Sequence, residues 1–239
     1  MKLIIDKSPN FSRGTRSKKQ VKFVIIHYTG MQSEIESLKR LKNPNSKVSC
    51  HYFINRKGKI IQMVKDNRVA WHAGKSKWKN FINLNQNSLG IELENKGHQY
   101  GYQNFSNLQI MSLINLCKKL KKKYKLNKRN FLGHSDIAPL RKIDPGEKFP
   151  WTKLNKYNLG LKYNIRSVGP DFIKKKYYRR LFFQNLKKIG YRYFDISRNN
   201  SKDKLIIKSF QQHFLPKKIT GKIDEKTLKI SYFLAKERN

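Results

Sequence analysis

The segment FLGHSDIAPLRKIDPG, from Phe131 to Gly146, constrains this chain more than any other stretch. It places His134 and Asp144 ten residues apart, between a short apolar run and a Pro-Gly stop. A neutral imidazole and a carboxylate both suit Zn²⁺, and a catalytic zinc site needs three protein ligands and one open position. Lys142 stands two residues before Asp144, so in an extended segment the two side chains would share a face. The segment predicts two metal ligands; the plainer alternative is two solvated side chains in a loop.

A third ligand is predicted beside the first strand. The run from Val21 to Ile26 is apolar and β-branched and is bounded by turn residues, which is typical of a buried strand. His27 follows it, and residues at strand ends of α/β sheets commonly face a ligand crevice. A second predicted strand, Leu89 to Leu93, carries Glu92. The fold would therefore have to assemble one site from separate segments.

Five motifs occur in a fixed order: VIIHYTG, CHYFINRKGKIIQMV, AWHAG, SLGIELEN and GHSDIAPLRKIDPG. In this order they resemble the zinc-dependent N-acetylmuramoyl-L-alanine amidases of the amidase-2 group, which includes bacterial amidases and the related peptidoglycan-recognition proteins. The resemblance covers roughly residues 9 to 157. Any one of the motifs alone would be weak evidence, whereas five in the right order are specific.

The resemblance implies a role for individual residues. It makes His27, His134 and Asp144 the ligands of one zinc ion per chain. It also makes Glu92, in the GIE motif, the catalytic carboxylate, and Lys142 the basic residue two positions before the last ligand.

Three further residues are candidate substrate contacts. Trp71 and His72 belong to the AWHAG turn, which lies near the substrate groove in the family. For His72, a structural role is an equal alternative. His51 could face the site as well, or it could be a hydrogen-bonded histidine within a strand.

Strands interleaved with helices predict an α/β fold, with a mixed central sheet flanked by helices. Helices are predicted over Glu34 to Leu41 and Asn107 to Tyr124, where apolar residues recur at helical spacing. The stretches His51 to Asn55 and Lys59 to Val64 flank an Arg-Lys-Gly turn and predict a hairpin. A short strand, Phe131 to Gly133, would then lead into the segment with the two predicted ligands.

The texture of the sequence changes after Trp151. Residues 21–157 are predicted to form the catalytic domain, preceded by a basic surface lead-in over residues 1–20. Residues 158–170 are predicted to be a linker. Residues 171–239 contain three amphipathic helical segments and resemble the small three-helix peptidoglycan-binding domain that is often attached to wall hydrolases.

This second resemblance depends on an FQ pair and a TGxxDxxT pattern. Gly221, Asp224 and Thr227 mark the expected turn and helix start, with Asp224 as the N-cap. A generic helical bundle is the alternative. The segment carries no candidate catalytic cluster, so we expect it to bind wall polymer and to be dispensable for the chemistry.

The chain is strongly basic, because 54 Lys and Arg against 15 Asp and Glu give a formal net charge of +39. Such a charge favours a polyanionic partner, which could be nucleic acid or peptidoglycan with its free peptide carboxylates. The lysines are spread along the chain and no RRM, KH or helix-turn-helix signature occurs, so no specific nucleic acid is expected. A compositional bias toward Lys, Asn and Ile is the alternative explanation of the charge.

Other sequence features say less about the fold and the function. The two cysteines do not make a disulfide framework, and no stretch approaches the ~20 apolar residues of a membrane span. The apolar run from Leu3 to Ile5 is too short for a secretory leader. A wall-binding domain favours the cell envelope and the absence of a leader favours the cytoplasm, so the compartment and the oligomeric state stay open.

The reaction expected from the resemblance is hydrolysis of the amide between N-acetylmuramic acid and L-alanine, in peptidoglycan or in muropeptides. Zinc would activate water and polarise the carbonyl, while Glu92 would move the proton and Lys142 would stabilise the oxyanion. The alternative is a non-catalytic peptidoglycan-binding protein. The retention of three ligand-type residues together with Glu92 and Lys142 disfavours it, and the absence of an HExxH motif disfavours another type of zinc peptidase.

Overall fold

The computed structural model describes residues 3–164 and 174–237. The strands in these residues are β1 (Leu3–Ile5), β2 (Phe11–Ser12), β3 (Phe23–Tyr28), β4 (Tyr52–Ile54), β5 (Ile60–Gln62), β6 (Val69–Ala70), β7 (Lys77–Trp78), β8 (Phe81–Ile82), β9 (Ser88–Leu93) and β10 (Phe131–Gly133). The α-helices are α1 (Glu34–Lys42), α2 (Asn107–Tyr124), α3 (His134–Ile137), α4 (Trp151–Asn155), α5 (Tyr178–Ile189), α6 (Asp203–Phe214) and α7 (Glu225–Lys236).

Six of the strands form one mixed sheet in the order β1-β5-β4-β9-β3-β10, while β2 pairs with β6 and β7 with β8. Within the large sheet all neighbours run parallel except β4 and β5, which form the predicted antiparallel hairpin. Helices cover both faces of the sheet. The predicted α/β class, with a mixed central sheet flanked by helices, is confirmed.

Strand β3 lies in the middle of the fold and is buried on both faces. Phe23 and Ile25 point into one core, and Val24 and Ile26 point into the other, as the two-residue period of a strand requires. A continuous apolar run is typical of a parallel strand covered on both sides. The strand begins two residues later than predicted and extends through His27, because its pairing with β9 continues to Tyr28.

Helix α2 covers one face of the sheet and has the predicted bounds. Its N-cap is Ser106, whose hydroxyl accepts a hydrogen bond from the Gln109 amide. The residues that it buries follow the predicted helical face: Ile110, Leu113, Ile114, Cys117 and Leu120. Its lysines lie on the opposite, solvated side, so the Lys-rich run at its end is accounted for by an amphipathic helix.

Helices α5, α6 and α7 cover the other face of the sheet, and they coincide with the three predicted amphipathic segments. Their apolar side chains join Phe23, Ile25 and Leu132 in a single core: Phe182, Phe183, Leu186, Ile206, Phe210, Leu228 and Leu234. Gly190, at the end of α5, packs so closely on Trp78 that a β-carbon there would stand 2.3 Å from its ring.

The C-terminal helices therefore share a hydrophobic core with the central sheet. The division into a catalytic domain and a peptidoglycan-binding domain stays a prediction. The predicted linker over residues 158–170 and the predicted domain start at 171 fall partly on residues 165–173, which lie outside the described residues. The described part of the helical unit begins at residue 174.

The N-terminal residues are integrated more closely than the predicted surface lead-in. Strand β1 pairs with β5 at the edge of the central sheet. The Arg16 side chain is buried and donates to the carbonyl oxygens of Asp66 and Asn85, each at 3.0 Å. Within the described residues, no helix combines the length and the apolar character needed to cross a membrane.

Candidate active site

The register of the central sheet brings the predicted site residues together. His27 on β3 is the register partner of Glu92 on β9, and Gly133 at the end of β10 is the partner of Ile26. His134 follows Gly133 and begins α3, so it stands next to His27 across the sheet. Ligand sites of open α/β sheets lie at these carboxyl ends of the strands.

Three of these side chains converge on one point. His27 Nδ1 lies 3.0 Å from His134 Nδ1 and 3.0 Å from Asp144 Oδ2, and His134 Nδ1 lies 3.1 Å from the same oxygen. The ligand atoms of a tetrahedral zinc site with bonds of 2.0–2.1 Å stand about 3.3–3.4 Å apart. The spacing agrees within a few tenths of an ångström, so this donor set fits a zinc ion. All three side chains are buried.

A chain of hydrogen bonds holds the His27 ring from behind. His27 Nε2 lies 3.0 Å from His72 Nδ1, His72 Nε2 lies 3.2 Å from Ser88 Oγ, and Ser88 donates to the Leu84 carbonyl oxygen. If Nδ1 of His27 binds a cation, its ring proton must sit on Nε2, which then donates to His72. His72 Nε2 then donates in turn to Ser88 Oγ, whose own proton goes to the Leu84 carbonyl oxygen. The chain thus fixes the tautomer in which Nδ1 faces the site.

His134 is oriented in the same way by a backbone oxygen. Its Nε2 lies 3.1 Å from the Ala73 carbonyl oxygen, which also accepts a hydrogen bond from Arg141 Nη2. The AWHAG turn therefore supplies the support of both histidines, with His72 behind one and Ala73 behind the other. Gly90 allows this, because a β-carbon there would stand 2.3 Å from the His72 ring.

The electrostatics favour the cation-binding forms of His27 and Asp144. Burial, together with the neighbouring His134, lowers the pKa of His27 to about 4. Burial acts to raise the pKa of Asp144, but the two histidines outweigh it and hold that pKa well below its usual range. A neutral imidazole and an ionised carboxylate are the forms required of metal ligands.

Glu92 differs from these ligand-type residues. Burial and, to a smaller extent, the charge of Asp144 raise its pKa to about 8, against the opposing effect of Lys142 and Arg40. Its Oε2 atom has no hydrogen-bond partner among the described residues. A carboxyl group with a pKa near neutrality and a free oxygen is suited to proton transfer.

A cavity of about 430 Å³ opens above this group of residues. Glu92, Lys142 and the three converging residues line it, so the predicted catalytic and metal-binding residues share one cavity. Other lining residues are polar, aromatic or basic: Tyr28, Arg40, Trp71, Gln99, Tyr100 and Arg141.

The three candidate substrate contacts lie in different places. Trp71 lines the cavity and its indole nitrogen donates to Ser12 Oγ at 3.0 Å. His72 also lines the cavity, although its two ring nitrogens already form hydrogen bonds with His27 and Ser88. His51 is fully buried outside the cavity lining and accepts from the Gly90 amide at 3.0 Å. Their role as substrate contacts stays a prediction.

Four residues at the site were not predicted from the sequence. Ser88 anchors the hydrogen-bond chain, Arg141 shares the Ala73 carbonyl, and Tyr28 and Arg40 line the cavity. The signal for Arg141 is its place beside Lys142 in the RKIDPG motif, and the signal for Tyr28 is its place next to His27. The signal for Ser88 is its place at the start of the SLGIELEN motif. Arg40 carries no local signal, because only the tertiary fold brings it to the site.

Together, the mixed α/β sheet and a site that could hold a metal ion beside a buried carboxyl group define the class of amide-cleaving hydrolases. A family model described as "N-acetylmuramoyl-L-alanine amidase" matches residues 17–147. The N-acetylmuramoyl-L-alanine amidase AmiD of Escherichia coli (strain K12) is 33% identical over 227 residues, which cover 89% of this chain and 81% of that protein. The chain therefore belongs to the N-acetylmuramoyl-L-alanine amidase family, and the predicted enzyme class is confirmed.

Two solved structures extend the likeness to nearly the whole chain. One is a complex of E. coli AmiD with the substrate anhydro-N-acetylmuramic acid-L-Ala-D-gamma-Glu-L-Lys, with 30% identity, a TM-score of 0.78 and coverage of 93% of this chain and 91% of that one. The other is AmpDh3 from Pseudomonas aeruginosa, with 28% identity, a TM-score of 0.80 and coverage of 95% of each chain. The likeness thus includes the C-terminal helices.

Proposed function

We propose that this chain hydrolyses the amide bond between N-acetylmuramic acid and L-alanine in peptidoglycan or its muropeptide fragments, with one zinc ion held by His27, His134 and Asp144. The observation that carries the proposal is the convergence of these three ligand atoms in the lining of a cavity that also contains Glu92, whose Oε2 atom has no hydrogen-bond partner among the described residues. The muropeptide bound by E. coli AmiD supports the substrate class.

The chemistry divides between the metal and the residues of the chain. Zinc, when bound, would act as a Lewis acid and would lower the pKa of bound water to ~7. Glu92 takes a proton from the attacking water on its free carboxylate oxygen and passes it to the leaving nitrogen. Lys142 stabilises the negative charge that develops on the carbonyl oxygen. Arg40 and Arg141 add positive charge to the cavity, which suits the carboxylates of a peptide stem.

The C-terminal helices are part of the same proposal, as a unit that binds wall polymer. The two parts of the predicted pattern are in contact, because Gln211 of the FQ pair donates to the Lys222 carbonyl and accepts from the Gly221 amide, each at 2.8 Å. Asp224 caps α7 by accepting from the Thr227 amide at 2.8 Å. These contacts support the resemblance, and they make the pattern a signature of the unit's own fold.

A digestion experiment tests the proposed reaction. Purified sacculi and soluble anhydro-muropeptides are incubated with the protein, with and without a chelator, and the products are identified by mass spectrometry. We expect free stem peptides beginning with L-alanine, and we expect the chelator to abolish them. Intact muropeptides, or cleavage at another bond, would overturn the proposal.

A pull-down tests the wall-binding role in the full chain, with Glu92→Gln introduced to prevent digestion. Lys187 and Lys188 line a concave surface of α5, so the double Gln variant removes two charges there. The control removes two charges from α2, at the exposed Lys119 and Lys122. At 1 M salt the Debye length falls to ~3 Å, so charge attraction is screened. Binding of the unmodified surface to sacculi should persist at 1 M salt, whereas at low salt binding should fall more in the α5 variant than in the α2 control. Equal binding of both variants at low salt would exclude this surface.

A further inference from the structure

Helix α6 of the C-terminal unit lies directly against the segment that carries His134 and Asp144. Ser209 Oγ donates to the carbonyl oxygen of Ser135 at 2.8 Å, and Gln212 Nε2 donates to the carbonyl oxygen of Ile143 at 2.5 Å. Ser135 follows His134 in the chain, and Ile143 precedes Asp144. Each of these two ligand-type residues therefore has an immediate neighbour tied to the same helix.

A buried carboxylate makes a third connection. Asp136 Oδ2 accepts from the Gly133 amide and lies 2.8 Å from His213 Nδ1, while its other oxygen accepts from the Tyr191 hydroxyl at 2.5 Å. Gly133 is the residue before His134. The Asp136 side chain thus links the start of the segment to the C-terminal unit through two side chains, and all of these residues are buried.

The side chains on α6 that make these contacts belong to one helical face. Ser209, Gln212 and His213 stand at positions i, i+3 and i+4, which are neighbours on a helix surface. The His213 ring is held further, because it stacks on Trp151 at 3.9 Å and on Phe214 at 4.0 Å between ring centroids. One rigid face of α6 therefore spans the segment from His134 to Asp144.

We propose that this face of α6 positions the metal site, so that the C-terminal unit sets the affinity for zinc as well as binding the wall. Ser209, Gln212, His213 and Tyr191 are positioning residues in this view, because they act through the backbone and through Asp136. The inference depends on the proposed zinc site. Residues that hold metal ligands in place commonly contribute 10–100-fold to metal affinity.

A second reading is that these contacts only join two packed units. The two readings differ in what a substitution changes. Loss of a packing contact lowers the melting temperature and leaves zinc affinity unchanged, whereas loss of a positioning contact also moves the ligand atoms.

Two adjacent glutamines on α6 provide a matched test in the full chain. Gln212→Met removes the donor to Ile143, while Gln211→Met removes contacts that lie entirely within the C-terminal unit. Zinc affinity is measured by competition with a chelator, and the site geometry is followed by the visible absorption of the Co²⁺-substituted protein. We expect Gln212→Met to lower zinc affinity by about 10-fold or more and to alter the Co²⁺ spectrum. Gln211→Met should lower the melting temperature and change neither metal property.

Ser209→Ala is a milder second variant, because it deletes one hydroxyl, and it should change the metal properties in the same direction. Wild-type affinity and spectrum in both Gln212→Met and Ser209→Ala would overturn the inference, whatever their melting temperatures. The zinc site itself is tested separately by His134→Ala, since full zinc retention in that variant would overturn the site and not only its positioning.

Discussion

Glu92 and His27 are register partners on the parallel strands β9 and β3, so backbone pairing sets the distance between the proposed base and a proposed ligand. Partner residues on neighbouring strands point to the same face of a sheet. A site built on strands is held more accurately than one built on loops. The remaining ligand-type residues, His134 and Asp144, lie outside the strands, which makes their support by other elements more important.

The first prediction concerns Glu92→Gln. This variant should keep one zinc per chain and lose turnover by a factor on the order of 10²–10⁴, because the glutamine side chain cannot take a proton from water. Turnover is measured on a soluble anhydro-muropeptide, and zinc is measured by elemental analysis. Glu94→Gln is the matched control, since the Glu94 carboxylate accepts from the Arg56 amide at 2.8 Å and lies outside the cavity lining. Near-normal turnover of Glu92→Gln would assign proton transfer to another residue.

The second prediction concerns the ligands. Wild-type protein should contain about one zinc per chain, and His134→Ala should lose most of it, because two remaining donors are fewer than a catalytic site requires. His98→Ala is the control, since His98 is an exposed histidine that bonds to Tyr28 and Glu147. A His134→Ala protein with full zinc would refute the assignment.

The third prediction follows from the raised pKa of Glu92. In the folded protein that pKa is about 8, against an ordinary value of 4.5, so the unfolded chain loses the proton first as the pH rises. The free energy of unfolding of the metal-free protein should therefore decrease as the pH rises from 4.5 to about 8. Asp144 adds to the effect, and Lys142 and Arg40 reduce it.

Glu92→Gln isolates this contribution, because glutamine does not ionise and every other titrating group is shared with the wild type. Chelator-treated Glu92→Gln should melt at a higher temperature than chelator-treated wild type at about pH 8.5, and the difference should shrink toward about pH 5. A difference that stays constant over this range, or that favours the wild type, would contradict the raised pKa.

The fourth prediction separates the two roles open to His72. Because His72 Nδ1 faces His27 Nε2 at 3.0 Å, His72→Ala should lower zinc affinity on the order of 10–100-fold. At saturating zinc, the KM for a muropeptide should change little. A higher KM with unchanged zinc affinity would instead support a substrate contact.

Elements with strong local signals were predictable from the sequence. Helix α2 and strand β10 have the predicted bounds, since periodicity and flanking turn residues define them. Strand β1 was missed because its three residues bury little surface, and its stability comes from pairing with β5, far along the chain. The ligand-type residues were found from motifs, but the distances between their ligand atoms depend on the sheet register, which the sequence does not show.

The contacts between helix α6 and the segment from His134 to Asp144 could not be predicted from the sequence either. Periodicity shows that α6 is amphipathic, but it does not show what the helix covers. Gln212 looks like an ordinary polar residue beside Phe210 and Gln211, yet it reaches Ile143, which lies 69 positions away. The change in composition indicated where the helical unit begins, but it did not show that this unit shares a core with Phe23, Ile25 and Leu132.

The last prediction tests whether this shared core stabilises the protein, with a chain ending at Asn158. In the full chain, Phe23, Ile25, Leu132 and Ile137 share a core with the C-terminal helices and are at most 4% exposed. Burying one such side chain contributes about 1.5–3 kcal/mol, and a domain has a net stability of only about 5–15 kcal/mol. The shortened chain should therefore aggregate or melt at a much lower temperature, whereas the full chain should show a single cooperative transition in calorimetry. A shortened protein that melts at the temperature of the full chain would show that the catalytic domain folds without the helices, and the shared core would then carry no stability.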